Sequence, residues 1–212
     1  AEQLAIPVAT TISGKGSISE DHPLAVGVVG SNGGVMETRR FMEAADLLLL
    51  IGCRAGSVTT ERWRFPAPGA CQVAHIDSDP GVIGANYPTE AAMVGDARLA
   101  LAALNAEIGS PTAPTRDLNA DAVAEAKAAK FAAFQELASS DERPIRPERL
   151  VASLSELLDD DAVLIADPGT PCPYLSAYYP VNRTGRQFFS NRAHGALGYS
   201  LPAAIGAYYG RP

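Results

Sequence analysis

The sequence predicts an α/β protein made of parallel sheets with helices on both faces. Three observations carry that expectation. Short apolar runs recur at residues 6–10, 24–29, 47–51, 73–76 and 92–94, and again at 162–166 and 187–189. Glycine-rich or acidic turns separate them from stretches of helical character, giving the order strand, turn, helix, strand. The runs are continuously apolar rather than alternating, which is the pattern of strands covered on two sides.

Each element follows from its residues. Residues 6–10, IPVAT, read as a strand, and SGKGS after them as a turn. That turn is not a phosphate-gripping P-loop, because the spacing is wrong and acidic residues and Pro23 follow where a helix should start. Residues 24–29 form the second strand. The glycine-rich turn 30–34 then leads into a helix over 35–45 and into Leu47–Ile51, expected as a fully buried strand ended by Gly52. Gly27, Gly30 and Gly33 fall near a strand end, where open α/β sheets bind ligands, but they do not spell G-x-G-x-x-G. The strand at 73–76 runs into Asp77-Ser78-Asp79-Pro80. Pro80 suits a first helical turn, and Asp77 either caps that helix or accepts hydrogen bonds from a ribose; both readings stand. After the strand at 92–94, Asp96 is placed as N-cap of a helix over 97–107.

Residues 109–116, GSPTAPTR, read as a linker, and 121–138 as an alanine-rich bridging helix with Lys127, Lys130 and Glu136 as surface charges. From Pro144 the pattern restarts. A helix opened by Pro147 carries Leu150, Val151, Leu154, Leu157 and Leu158 on one face. The strand at 162–166 ends in Asp167-Pro168-Gly169-Thr170-Pro171, and Pro171 starts a helix containing Tyr174, Leu175 and Tyr178. The backbone at 169–172 is therefore expected to present N–H groups to an anion. After the strand at 187–189, a polar loop over 191–198 feeds what reads as a buried helix over 199–209. Gly195 and Gly198 permit close backbone approach, and the fresh helix start offers unpaired N–H groups. Glycine before a helix is common punctuation, so this pattern alone favours plain packing. The expected division is residues 1–108, a linker and bridging helix over 109–143, and a second unit over 144–212.

Composition narrows the function classes. The chain has 212 residues, 47% hydrophobic, with a formal charge of −7 and a pI near 5.0. No basic face is available to neutralise phosphates along a strand, which argues against a nucleic-acid partner. The longest apolar runs are too short to cross a bilayer, and no secretory pattern opens the chain; a cytoplasmic protein with no membrane partner is expected. Cys53, Cys71 and Cys172 form no C-x-x-C, and His22, His75 and His194 are scattered. Buried thiols are expected, and no metal site made by this chain alone.

Taken together, these landmarks resemble the thiamine diphosphate enzymes of the acetolactate synthase and pyruvate oxidase family. IPVATTISGKG, His22-Pro23, LLLLIGCR ending at Arg54, HIDSDP and Val94-Gly95-Asp96 are similar to the family's central, Rossmann-like nucleotide-binding domain. Asp167-Pro168-Gly169 and GALGYSLPAAIGA are similar to the start of its diphosphate-binding α/β domain, which would be truncated here. The resemblance implies thiamine diphosphate and magnesium in the full-length protein. Gly169, Thr170 and Pro171 take the places that meet the diphosphate. Gly195 matches the glycine whose carbonyl accepts from the aminopyrimidine. Leu197 matches the bulky residue that holds the cofactor in its V shape, with its amino group beside the reactive thiazolium carbon. No residue of this chain is assigned a catalytic role.

Ser31, Asn32, Gly52, Arg54, Asp77, Ser78 and Asp96 match positions that contact FAD or ADP in some members of the family. Ala55-Gly56-Ser57 stands where flavin-binding synthases tend to carry an aspartate. The resemblance further implies a 2-oxo acid substrate, decarboxylation followed by carboligation, and a homodimer or homotetramer. The activating glutamate domain and the Gly-Asp-Gly magnesium motif of complete members do not occur, so the chain reads as a fragment, N-terminally incomplete and inactive alone. Alternatives are a 2-oxo acid or oxalyl-CoA decarboxylase of the same family, and a non-catalytic nucleotide-binding or assembly domain. A nicotinamide oxidoreductase lacks its glycine fingerprint.

Overall fold

The computed structural model describes residues 1–109 and 118–210. Among the described residues seven strands pair in three sheets, every pairing parallel. β1 (Val8–Thr10) pairs with β2 (Ala25–Val28). β3 (Leu47–Ile51), β4 (Gln72–Asp77) and β5 (Ala91–Val94) form a second sheet in that order. β6 (Leu164–Ala166) pairs with β7 (Phe188–Ser190). All the strands lie within a residue or two of the expected ones. Parallel neighbours need crossovers, and the described residues hold six α-helices: α1 (Met36–Ala44), α2 (Ala97–Ile108), α3 (Leu118–Ala138), α4 (Pro147–Leu157), α5 (Pro171–Tyr178) and α6 (Ser200–Gly210). The linker expected at 109–116 lies, apart from Gly109, outside the described residues.

α3 organises the packing. At spacings of four, three, four and four residues, Val123, Lys127, Lys130, Phe134 and Ala138 fall on one helical stripe, and all but the half-buried Lys127 are buried. Lys127 and Lys130 are thus not the surface charges expected, because the period places them inward. Phe134 stacks on Tyr178 of α5, with ring centroids 4.6 Å apart and planes at 18°. One core then joins Ile12 and Val28 to Phe134 and Ala138, and onward to Val151, Ala166, Cys172 and Phe188. A smaller core of Leu50, Ala55, Val73 and Tyr87 lies under the second sheet.

Coverage is uneven, and several expectations of burial are corrected by it. β3 is not fully buried: Leu47 is 53% and Ile51 41% exposed. The cause is that α1 packs on β2 and α3, and α2 on β4, so neither shields β3. α6 carries no buried residue, with Leu201 72% and Tyr209 77% exposed, because its main packing is against β6. On α4, Val151 and Leu154 enter the core while Leu150 and Leu157 face outward. Of the thiols only Cys172 is buried; Cys53 and Cys71 are half-buried, and all three are free. Among the described residues no helix is long and apolar enough to cross a membrane.

Candidate cofactor site

The carboxyl ends of β6 and β7 lie side by side, with Ala166 opposite Ser190. That register places the loop 167–170 beside the loop 191–199. Asp167, just past β6, ties them together. Its Oδ2 accepts from the Gly198 amide at 2.8 Å and its Oδ1 from the Ser200 amide at 2.7 Å. These backbone hydrogen bonds, Gly198's first, hold the Asp167 carboxyl below the usual carboxylate range. The start of α6 is therefore not open to an outside anion, since an internal carboxylate already caps it. Arg192 adds a second tie, donating from Nη1 to the Pro168 carbonyl at 3.0 Å.

Across this junction Leu197 leans on Gly169. A Cβ at Gly169 would sit 3.1 Å from Leu197 Cδ2, while Leu197 itself is 73% exposed. Gly195 has φ +73, a left-handed conformation that favours glycine. Its amide donates to the Asn191 carbonyl at 3.1 Å, and its own carbonyl has no hydrogen-bond partner among the described residues. At the start of α5 the donor supply is smaller than expected. Pro171 has no N–H, and the Cys172 amide donates to Gly169 at 3.2 Å, which leaves the amides of Gly169 and Thr170. A backbone acceptor at Gly195, an apolar side chain at Leu197 and two amides at 169–170 suit a ligand with an aminopyrimidine at one end and a diphosphate at the other.

A second group sits at the carboxyl edge of the three-stranded sheet. Gly52 follows β3, Asp77 and Ser78 end β4, and Asp96 follows β5. The Gly52 amide donates to Ile76, and the Gly95 amide to Asp77, so the three strand ends are laced by backbone bonds of 2.9 Å. Arg54 is exposed beside them, its carbonyl accepting from Asn86 Nδ2 at 2.7 Å. Asp96 caps α2 through the Leu99 amide at 3.0 Å. No helix follows Asp77; its Oδ1 accepts from the Asp79 amide instead, at 3.0 Å. The capping reading of Asp77 falls, while its Oδ2, 3.9 Å from the buried His75 Nε2, lies beyond hydrogen-bond reach of it.

Ser31 and Asn32 lie on the loop between β2 and α1. Ser31 donates from both N and Oγ to the Val58 carbonyl, at 2.9 and 3.3 Å. The Asn32 carbonyl accepts from Ser176 Oγ of α5 at 3.1 Å, and its side-chain oxygen, in the orientation that satisfies both amide atoms, accepts from Arg192 Nη2 at 2.9 Å. The β2–α1 loop is thereby docked on the β6–β7 site through Arg192 and Ser176. Sequence reasoning missed Asp167, Arg192 and Ser176 as supports of the site. An acid between an apolar strand and a Pro-Gly turn signals the first; nothing local signals the other two. Among the described residues no three His, Cys, Asp or Glu side chains are grouped to hold a metal ion.

The strands and helices form an α/β protein with parallel sheets, and residues 1–104 match the family described as thiamine pyrophosphate enzyme, central domain. The chain belongs to the thiamine diphosphate-dependent enzymes of the acetolactate synthase and pyruvate oxidase family. It is 33% identical over 218 residues to a protein of Methanocaldococcus jannaschii named probable acetolactate synthase large subunit, which takes in 100% of this chain and 36% of that one. It is 32% identical over 215 residues to the acetolactate synthase large subunit of Corynebacterium glutamicum, with 100% and 33% covered. To acetolactate synthase 1, chloroplastic, of Oryza sativa subsp. japonica it is 30% identical over 222 residues, with 100% and 32% covered. The chain thus spans about a third of the length of these relatives.

Proposed function

We propose that the chain is part of a thiamine diphosphate- and magnesium-dependent enzyme that joins 2-oxo acids after decarboxylation, as an acetolactate synthase does. The observation that carries this is the junction of the two loops: Asp167 fastens 167–170 to 198–200, so that Gly169, Leu197 and Gly195 sit on one strand edge. When bound, thiamine diphosphate supplies the electron sink that decarboxylation of a 2-oxo acid needs. The residues here bind and shape. The Gly195 carbonyl accepts from the aminopyrimidine, Leu197 fills the bend of the cofactor, and the amides of Gly169 and Thr170 donate to the diphosphate. The magnesium ligands are proposed to belong to the full-length protein, as is assembly into a homodimer or homotetramer.

At the β3–β4–β5 edge we propose an FAD or ADP site, with Asp77 and Ser78 toward a ribose and Arg54 toward phosphate. Support comes from the strand ends converging there, with Asp77 at the end of β4. Flavin absorbance of the purified full-length protein, and ADP calorimetry if flavin is missing, test this part.

Incubating the full-length protein with pyruvate, thiamine diphosphate and magnesium, and following both carbon dioxide and the five-carbon hydroxy acid, tests the main proposal. Both products are expected in equal amounts. Carbon dioxide with an aldehyde instead would make the enzyme a decarboxylase, and no cofactor binding at all would favour an assembly role.

A further inference from the structure

The Pro168 carbonyl and the Gly169 amide belong to one peptide. Across a trans peptide the C=O and the N–H point in opposite directions, so whatever holds the carbonyl also aims the amide. Arg192 holds it, donating from Nη1 at 3.0 Å. The other arm, Nη2, donates at 2.9 Å to the Asn32 side-chain oxygen, in the orientation that satisfies both amide atoms. Asn32 is itself anchored, since its carbonyl accepts from Ser176 Oγ of α5 at 3.1 Å. The planar guanidinium fork therefore reaches from a fixed point on the β2–α1 loop to this one peptide, with both arms on neutral oxygens.

This peptide has an alternative that must be held off. Asp167-Pro168-Gly169-Thr170 runs as a turn with proline and glycine in the middle. In turns of that composition the central peptide has two orientations, and the second asks for a positive φ that glycine adopts without steric cost. Gly169 does not have that φ, whereas Gly195 and Gly198 in the facing loop do, so the peptide sits in the first orientation. Its N–H donates to no acceptor among the described residues, which leaves it for a ligand. A flip would set the Pro168 oxygen where that amide points, an acceptor in place of a donor, which repels an anion. We propose that Arg192 is a positioning residue, which locks the Pro168–Gly169 peptide with its N–H toward the cofactor diphosphate and acts through its hydrogen bond, not through its charge. The inference rests on the reading of this strand edge as the thiamine diphosphate site.

Calorimetric titration of the full-length protein with thiamine diphosphate and saturating magnesium, at low salt and again at about 0.5 M salt, where exposed charges are screened, tests this. Arg192→Met is expected to weaken binding about tenfold, and to do so at both salt concentrations. Arg192→Lys, which can still donate to the Pro168 carbonyl, should stay within about threefold of the wild type. Asn32→Ala, which frees the far arm of the fork, should weaken binding about threefold alone and add nothing to Arg192→Met, because both act through one hydrogen bond. With the wild type binding, three results would each overturn the lock and leave the diphosphate reading standing: equal affinity in Arg192→Met, a loss that disappears at the higher salt, or no rescue by lysine. A wild type that binds no thiamine diphosphate would overturn both. Should Arg192→Met fail to fold, unchanged affinity in Asn32→Ala would overturn the lock in its place.

Discussion

Burial pushes the Lys130 ammonium down to about 8, with the charge of Glu20 working in the opposite direction. In the unfolded chain the same group titrates near 10.5. Between these values the unfolded state keeps a proton that the folded state has lost, so stability rises with pH across the window and the penalty is complete below it. Relief of at most about 3 kcal/mol is available from this one group. Thermal unfolding at about pH 7 and about pH 9.5 should therefore show the wild type gaining stability relative to Lys130→Met, which has no charge to bury; a difference independent of pH would refute the account. Lys15 and Lys127, both lowered chiefly by burial, act in the same sense and are common to both proteins. At Gly169 a different outcome is expected. The methyl group of Gly169→Ala meets only the far end of Leu197, an exposed side chain. Stability should change by less than about 0.5 kcal/mol, while thiamine diphosphate binding, measured by fluorescence quenching in the full-length protein, should weaken because Leu197 is displaced from the bend it fills.

At the scale of elements, α3 is the piece on which two sheets lean. Phe134 touches the core that includes β2, α4 and α5, so Phe134→Ala should cost about 3–5 kcal/mol. The loss should appear as one lowered transition in far-ultraviolet circular dichroism, not as selective melting of one half, because the core is shared across α3. This sharing was not legible in the sequence. The strands were, since continuous apolar runs such as LLLLI and turns such as HIDSDP carry their own period and punctuation. The second and third sheets pair as those runs imply. An alanine-rich helix has no such signature: with apolar alanines on every side, its inward stripe is fixed only by what it meets, and two lysines fall on it. The site divides in the same way. Gly169, Gly195 and Leu197 stand out as glycines and an apolar residue in polar turns, whereas the contacts of Arg192 and Ser176 with Asn32 join residues more than 140 positions apart.

Over the whole molecule, apolar surface is distributed against the usual economy of a soluble chain. α6 shows Leu201, Ile205, Tyr208 and Tyr209 more than half exposed, and Leu47 and Val94 on the second sheet do the same. Contiguous apolar faces of this kind bind hydrophobic probes and self-associate. The 212-residue chain by itself should accordingly enhance anilinonaphthalene sulfonate fluorescence and sediment partly as oligomers. Leu201→Gln with Ile205→Gln should reduce both effects while leaving the melting transition nearly unchanged, since neither side chain enters a core and surface exchanges shift stability by about 0.5 kcal/mol or less. In the full-length protein the same pair should have the opposite cost if α6 is covered there: a lowered melting temperature and weaker thiamine diphosphate binding, because α6 starts on the amides that Asp167 holds beside the cofactor loops. Equal behaviour of the double variant in the short chain and the full-length protein would show that α6 is solvated in both.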